Sequence, residues 1–142
     1  MTGIDFHFNA PDKLSYACRL LRKAWGTGAR VVVTGTPETL RELDIQLWTF
    51  SALDFIPHCY RSQDPRMLER TPVVLADSPR GAPHQQVLVN LGDEVPDGFE
   101  RFERLIEVVT SGEEDRSQAR ARWKHYRDRG YAVERKDLAG PA

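Results

Sequence analysis

Short β-branched runs alternate along this chain with stretches of helical spacing, and that alternation constrains the fold more than anything else in the sequence. Arg30-Val31-Val32-Val33-Thr34, Val73-Val74-Leu75-Ala76 and Gln86-Val87-Leu88-Val89-Asn90-Leu91 read as short strands, the first of the buried kind. Ile4-Asp5-Phe6-His7-Phe8 alternates apolar and polar residues and predicts a further strand. Between the first two strands, Leu14, Ala17, Cys18, Leu21, Ala24 and Trp25 recur at helical spacing. Asn9-Ala10-Pro11 precedes that helix and Gly26-Thr27-Gly28 ends it. A second helix follows Gly35, with Thr36 as N-cap, Pro37 in the first turn, and Leu40, Leu43, Leu47 and Trp48 facing inward. Strands interleaved with helices imply an α/β sheet that is at least partly parallel.

The rest of the chain is harder to read. Asp54-Phe55-Ile56-Pro57-His58 can hold a short strand, which Pro57 would restrict to a sheet edge. Residues 61–71 read as a polar surface loop, and 77–83 as turn material. Phe99, Phe102, Leu105, Ile106 and Val109 share one face at helical spacing and predict a third helix after Pro96-Asp97-Gly98. Ser111-Gly112-Glu113-Glu114 matches a capping box and predicts a last helix from about Glu113 to Arg129, stopped by Gly130. With 142 residues the chain makes one domain, expected over 1–137, with 138–142 a frayed tail.

Several function classes fall away. The turn at Gly35 lies where a Rossmann-like fold holds a phosphate, but it has one glycine where close approach of a pyrophosphate needs several. No phosphate-loop motif and no nucleophile elbow occurs. Cys18, Cys59 and the four histidines form no cluster with metal-ligand spacing, so no metal or cofactor is expected. No apolar run is long enough for a membrane span, and Met1-Thr2-Gly3-Ile4-Asp5 is no secretory signal, so a cytoplasmic location is expected.

The charge pattern is the informative feature. The chain's formal net charge is −1, yet residues 116–136 hold eight basic and two acidic residues, a local +6. Arg116, Arg120, Lys124 and Arg127 fall on one helix face, with Trp123 beside the stripe. A solvated helix face with Trp123 packed in the core is one reading. Nucleic acid lying across the helix is another, with arginines on phosphates and Trp123 stacking on a base. An acidic peptide is the third, its aromatic residue in a pocket and its carboxylates on arginines. The confined stripe and the overall charge lean toward the peptide.

Separated segments resemble the chi subunit of bacterial DNA polymerase III over about residues 3–133. Asp5-Phe6-His7-Phe8 resembles that family's first strand. Leu43-Asp44, Leu47-Trp48 and Phe55-Ile56-Pro57-His58 resemble its second helix and the segment after it. Pro72-Val73-Val74-Leu75 and Gln86 to Leu91 resemble its central strands, and 99–109 with Ala119-Arg120 to Gly130-Tyr131 its C-terminal half. The 60–71 region and the residues after Tyr131 depart from the pattern.

The resemblance implies a single Rossmann-like α/β domain, a mostly parallel sheet flanked by helices, without a working nucleotide site. It implies a non-catalytic adaptor of the polymerase holoenzyme, associated with DNA only indirectly. Such an adaptor links the clamp loader, through a small partner called psi, to single-stranded DNA-binding protein, whose acidic, aromatic-ended C-terminal tail it grips. Carried over by position, the tail site is Val109, Arg116, Arg120 and Trp123, and the psi or clamp-loader surface is Trp48 and Phe55. By residue type alone, Trp48 and Phe55 fit core packing as well as an exposed patch. The alternative function is a single-stranded nucleic-acid-binding module that uses the basic helix.

Overall fold

The computed structural model of the chain describes residues 1–49, 56–60, 66 and 71–139. Its elements in chain order are β1 (Gly3–Ala10), α1 (Lys13–Gly26), β2 (Val31–Thr34), α2 (Pro37–Thr49), β3 (His58–Tyr60), β4 (Val73–Ala76) and β5 (Val87–Asn90). A 3-10 turn (Phe99–Arg101), β6 (Arg104–Thr110), α3 (Glu113–Asp128) and β7 (Val133–Asp137) complete it.

The seven strands form one sheet in the order β3-β4-β2-β5-β6-β1-β7, and every pairing among the described residues is parallel. Parallel neighbours cannot be joined by hairpins, so the chain must cross over the faces, and the helices do this. The Rossmann-like α/β expectation holds.

Each face of the sheet builds its own core. Val31, Val33, Val73, Leu75, Val89 and Ile106 point to one side, where Cys18 and Leu21 of α1 and Leu40, Leu43 and Leu47 of α2 cover them. Ile4, Phe6, Val32, Val74, Leu88, Leu105 and Val109 point to the other, against Ala119 and Tyr126 of α3 and Phe99 and Phe102. Strands covered on both faces read as continuous apolar runs, which is why β2 and β4 are buried at every position.

Local signals set the helix ends. Thr36 Oγ1 accepts from the Thr39 N–H at 3.2 Å, as expected of an N-cap. Asp12 caps α1 by accepting from the Ser15 N–H at 2.9 Å, so the start lies just past the expected Asn9-Ala10-Pro11. The end of α3 also matches, with Gly130 at φ 83 just beyond it.

Three features differ from the reading of the sequence. The third helix expected around Phe99–Val109 is a 3-10 turn followed by strand β6. Leu105, Ile106, Glu107, Val108 and Val109 are all buried, which is the signature of a strand packed on both faces. The helical spacing was a coincidence of that apolar run. Gly98, at φ 89, turns the chain into the 3-10 segment.

Second, the capping box does not form. Gly112 is the N-cap of α3 and provides no side-chain bond, while Asp115 reaches back to accept from the Thr110 N–H at 2.8 Å and hydroxyl at 2.9 Å. Third, Val133–Asp137, which is polar and was not read as a strand, pairs with β1 as the sheet's last strand. An edge strand has one partner and an exposed rim, so it needs little apolar patterning.

Of the short strand expected over 54–58, residues 54 and 55 lie outside the described residues; β3 starts at His58, just after Pro57, at the opposite edge of the sheet. Of the expected 61–71 loop, only Arg66, which is helical, and Thr71 are among the described residues. Leu138 extends the β7 ladder, its N–H donating to the Phe8 carbonyl at 2.9 Å, and 140–142 lie outside the described residues.

Candidate functional site: a cation-rimmed cleft beside the C-terminal helix

The site is built on a buried polar staple between α3 and β6. Glu107 lies fully buried mid-strand, and Arg122 on α3 is 2% exposed. Arg122 Nε donates to Glu107 at 3.1 Å and its Nη1 to the Asp93 carbonyl at 2.7 Å. The Tyr126 hydroxyl donates to the other Glu107 oxygen at 2.6 Å, and the Asn90 amide reaches both at 3.0 and 3.1 Å. Burial pushes the Glu107 carboxyl above the ordinary carboxylate range, against the pull of Arg122, Tyr126 and Asn90. Burial and the Glu107 charge also push the Tyr126 hydroxyl up.

This network sets the register of α3 on the sheet. Val109 lies two residues along β6 from Glu107, on the same face of the strand. Trp123 directly follows Arg122. Asp115 adds a second tie at the start of α3 through its 3.2 Å ion pair with Lys13. Burial works to raise the Asp115 carboxyl, but the Thr110 hydrogen bonds and the Lys13 charge outweigh it and hold it below the ordinary range.

Between α3 and the edge of the sheet lies a cleft of about 460 Å³. Phe6 and Phe8 of β1, Val109 of β6 and Ala119 and Trp123 of α3 make its apolar walls. Arg116, Arg120, Lys124 and Arg127 of α3 and Arg135 of β7 stand around it. All four residues expected to form the tail site, Val109, Arg116, Arg120 and Trp123, therefore line one cleft. Val109 is buried, Trp123 is half-buried, and both arginines are exposed.

Among the described residues, Arg116, Arg120, Lys124 and Arg135 have no acidic partner. Arg127 is only loosely paired with Asp128, at 3.9 Å, and its guanidinium lies 4.5 Å from the centre of the Trp123 ring. Cations without partners around an apolar hollow suit a ligand with one apolar group and several negative charges.

Sequence reasoning missed part of this site. Phe6 and Phe8 were read only as strand residues, because alternation shows that they share a face and not which helix covers it. Arg135 was counted in the basic run without a place in the site. Arg122 was likewise counted in the basic run without a place in the site; it is buried, because the position that faces the sheet needs a partner for Glu107, and Arg122 provides it.

Of the other expected surface, Trp48 is among the described residues. Trp48 is 60% exposed and Ile45, three residues earlier, is 57% exposed, so both lie on the outer face of α2, and the inward placement read for Trp48 is corrected. Leu40, Leu43 and Leu47 already fill the inner face, which leaves Trp48 outside. The Trp48 ring meets His58 edge-on, with centroids 5.4 Å apart. His58 is held by Asp44 at 2.9 Å and the Ile56 carbonyl at 2.7 Å. Phe55 lies outside the described residues. Among those described, no three His, Cys, Asp or Glu side chains gather as metal ligands would, and no helix is long and apolar enough to cross a membrane.

Fold and site together define a class: a Rossmann-like parallel α/β domain whose distinguishing feature is a cation-rimmed apolar surface cleft. Comparison with known proteins gives the family. The sequence model described as "DNA polymerase III chi subunit, HolC" matches residues 1–134. The DNA polymerase III subunit chi of Pseudomonas aeruginosa is 34% identical over 139 residues, covering 94% of this chain and 95% of the relative. The subunit chi of Haemophilus influenzae is 28% identical over 117 residues, covering 81% and 80%. That of Escherichia coli is 28% identical over 116 residues, covering 80% and 78%.

The chain belongs to the DNA polymerase III chi subunit family, and its role lies in DNA replication, in association with the replication complex. Among solved structures, the C-terminal domain of S. cerevisiae Dbp5 bound to Gle1 and IP6 is similar with a TM-score of 0.63 at 12% identity, covering 96% of this chain and 90% of that one. That likeness concerns the fold alone.

Proposed function

We propose that this chain is a non-catalytic adaptor of the DNA polymerase III holoenzyme, whose cleft receives the acidic, aromatic-ended C-terminal tail of single-stranded DNA-binding protein. In this reading it joins that protein to the clamp loader, and its association with DNA is indirect. The observation that carries the reading is the set of cations without acidic partners among the described residues, Arg116, Arg120, Lys124 and Arg135, around an apolar cleft. The tail's ring would enter between Val109 and Trp123, where burial contributes on the order of 2 kcal/mol. Its carboxylates would meet Arg116 and Arg120 through charge-assisted hydrogen bonds.

Titration of a labelled tail peptide tests this. Arg120→Ala and Arg116→Glu should each weaken binding roughly 5- to 30-fold, about 1–2 kcal/mol, and rising salt should weaken it further. Unchanged affinity in both folded variants, or equal binding of a peptide without its last aromatic residue, would refute the reading. Tight binding of a single-stranded oligonucleotide that depends on Arg116 and Arg120 would favour direct nucleic-acid contact instead.

The exposed Trp48 and Ile45 support a second part of the proposal: this patch, with Phe55, docks psi or another clamp-loader subunit. An aromatic anchor of this kind can contribute roughly 2 kcal/mol or more. Trp48→Ala and Phe55→Ala should therefore reduce co-purification with the clamp loader. Normal association of both well-folded variants would overturn that assignment.

A further inference from the structure

On the opposite face of the sheet, between α1 and the β1–β7 edge, lies a second groove of about 570 Å³. Its charges come from four elements. Arg19 and Lys23 stand one turn apart on α1, a helix that carries no acidic residue in its 14-residue span. Lys136 projects from β7, and Arg104 of β6 is paired with Asp5 of β1. Glu134 is the remaining acid, so Arg19, Lys23 and Lys136 leave a net positive charge in the groove. Among the described residues neither Arg19 nor Lys23 has an ion-pair partner.

The two clefts are connected. Arg135 lines both of them. In the β1–β7 ladder, Arg135 pairs with Phe6, whose side chain lies in the first cleft, while Lys136 pairs with His7 on the other face. Successive residues of the last strand thus carry positive charge around the edge of the sheet. The result is one basic band that runs from α3, over β7, to α1.

We propose that the groove beside α1 is a second subsite for the same acidic peptide, taking the carboxylates that precede the residues seated in the first cleft. The proposal rests on the tail-binding reading above and extends it to the ligand's length and path. Charge complementarity selects the occupant: with Arg104 paired to Asp5, the cations of the band outnumber Glu134, and the groove keeps the sign of the first cleft. Rounding the edge from one sheet face to the other spans on the order of 20 Å, taking ~10 Å for each face. An extended chain covers that in about six residues. A peptide of four residues would therefore fill only the first cleft, and one of twelve would reach both. Once the end is seated, the upstream contacts form within one molecule, so even weak ion pairs register.

The test is a fluorescence titration at low salt with two synthetic peptides. Both end in the same acidic and aromatic residues with a free carboxylate; one has four residues, and the other has twelve, with further aspartates upstream. Wild type should bind the longer one about three- to tenfold more tightly. Arg19→Glu/Lys23→Glu should remove that advantage and leave the short peptide's affinity unchanged. Arg41→Glu, an exposed charge on α2, should leave the advantage intact.

Equal binding of the two peptides by wild type would overturn the second subsite, as would an advantage that survives the double variant or disappears equally in Arg41→Glu. So would an oligodeoxythymidylate that needs Arg19 and Lys23 while the longer peptide does not, which would make the groove a nucleic-acid surface. Failure of the underlying reading looks different: the short peptide itself would not bind, or would be indifferent to Arg120→Ala, and the second subsite would fall with it.

Discussion

Replacing Arg122 by methionine should destabilise the protein severely, whereas replacing Arg120, two residues earlier on the same helix, should scarcely affect folding. Arg122 is 2% exposed and is the cation that faces the fully buried Glu107. Its removal leaves the carboxylate with hydrogen bonds from Tyr126 and Asn90 but no opposite charge, and deprives the Asp93 carbonyl of its 2.7 Å donor. Breaking a buried pair from one side costs about 3–5 kcal/mol. For a chain of this size that corresponds to a drop in Tm of roughly 10–15 °C.

Arg120 is exposed and has no acidic partner among the described residues, so Arg120→Met should change stability by less than about 0.5 kcal/mol while weakening the tail peptide. Urea unfolding followed by tryptophan fluorescence measures both variants. A double variant, Glu107→Leu/Arg122→Met, should recover at least half of the loss, because no charge is then left buried alone. The reasoning is refuted if Arg122→Met costs under about 1 kcal/mol, if Arg120→Met costs as much, or if the double variant is worse than Arg122→Met alone.

Three further outcomes are expected. Burial, helped by the nearby Arg30 charge, pushes the His84 ring down to about 4. The unfolded chain therefore takes up that proton first, and stability complete above pH 6.5 should be lost as pH falls toward 4, by about 1–2 kcal/mol after discounting for partial exposure; His84→Phe should flatten this slope in urea titrations at pH 7 and 4.5. ATP and NAD should show no saturable micromolar binding by calorimetry, because Gly35 and Gly92 pack against each other at the strand ends and Thr36 already caps the α2 N-terminus. Burial pushes the Cys18 thiol up to about 11, so iodoacetamide at pH 8 should leave Cys18 unmodified in the native protein and label it in urea, as mass spectrometry would show.

Much of the fold is legible in the sequence, for identifiable reasons. The positions of β2, β4, β5, α1 and α2 follow from apolar periodicity and from caps such as Thr36, which are interactions within a few residues. The end of α3 at Gly130 is a signal of the same kind. The stripe of Arg116, Arg120, Lys124 and Arg127 beside Trp123 is a property of one helix, so the core of the site could be found from spacing. The family resemblance, which rested on segments such as Leu47-Trp48 and Arg120 to Tyr131, carried what spacing could not: a replication subunit.

Pairing between distant elements decided the rest. Apolar spacing over Phe99–Val109 fits a helix as well as a strand, and only insertion between β5 and β1 makes it β6. Arg122 has the same local context as Arg120, yet it faces Glu107, fifteen residues away, and becomes part of the core. Val133–Asp137 has no apolar pattern, and becomes a strand because β1 offers a free edge. Phe6 and Phe8 become walls of the cleft because α3 lies over β1's face. Sequence by itself determined which residues share a face, since that depends on backbone geometry a few residues long. Only the tertiary structure decided what each face meets, because that depends on sheet order and on long-range burial that no local window contains.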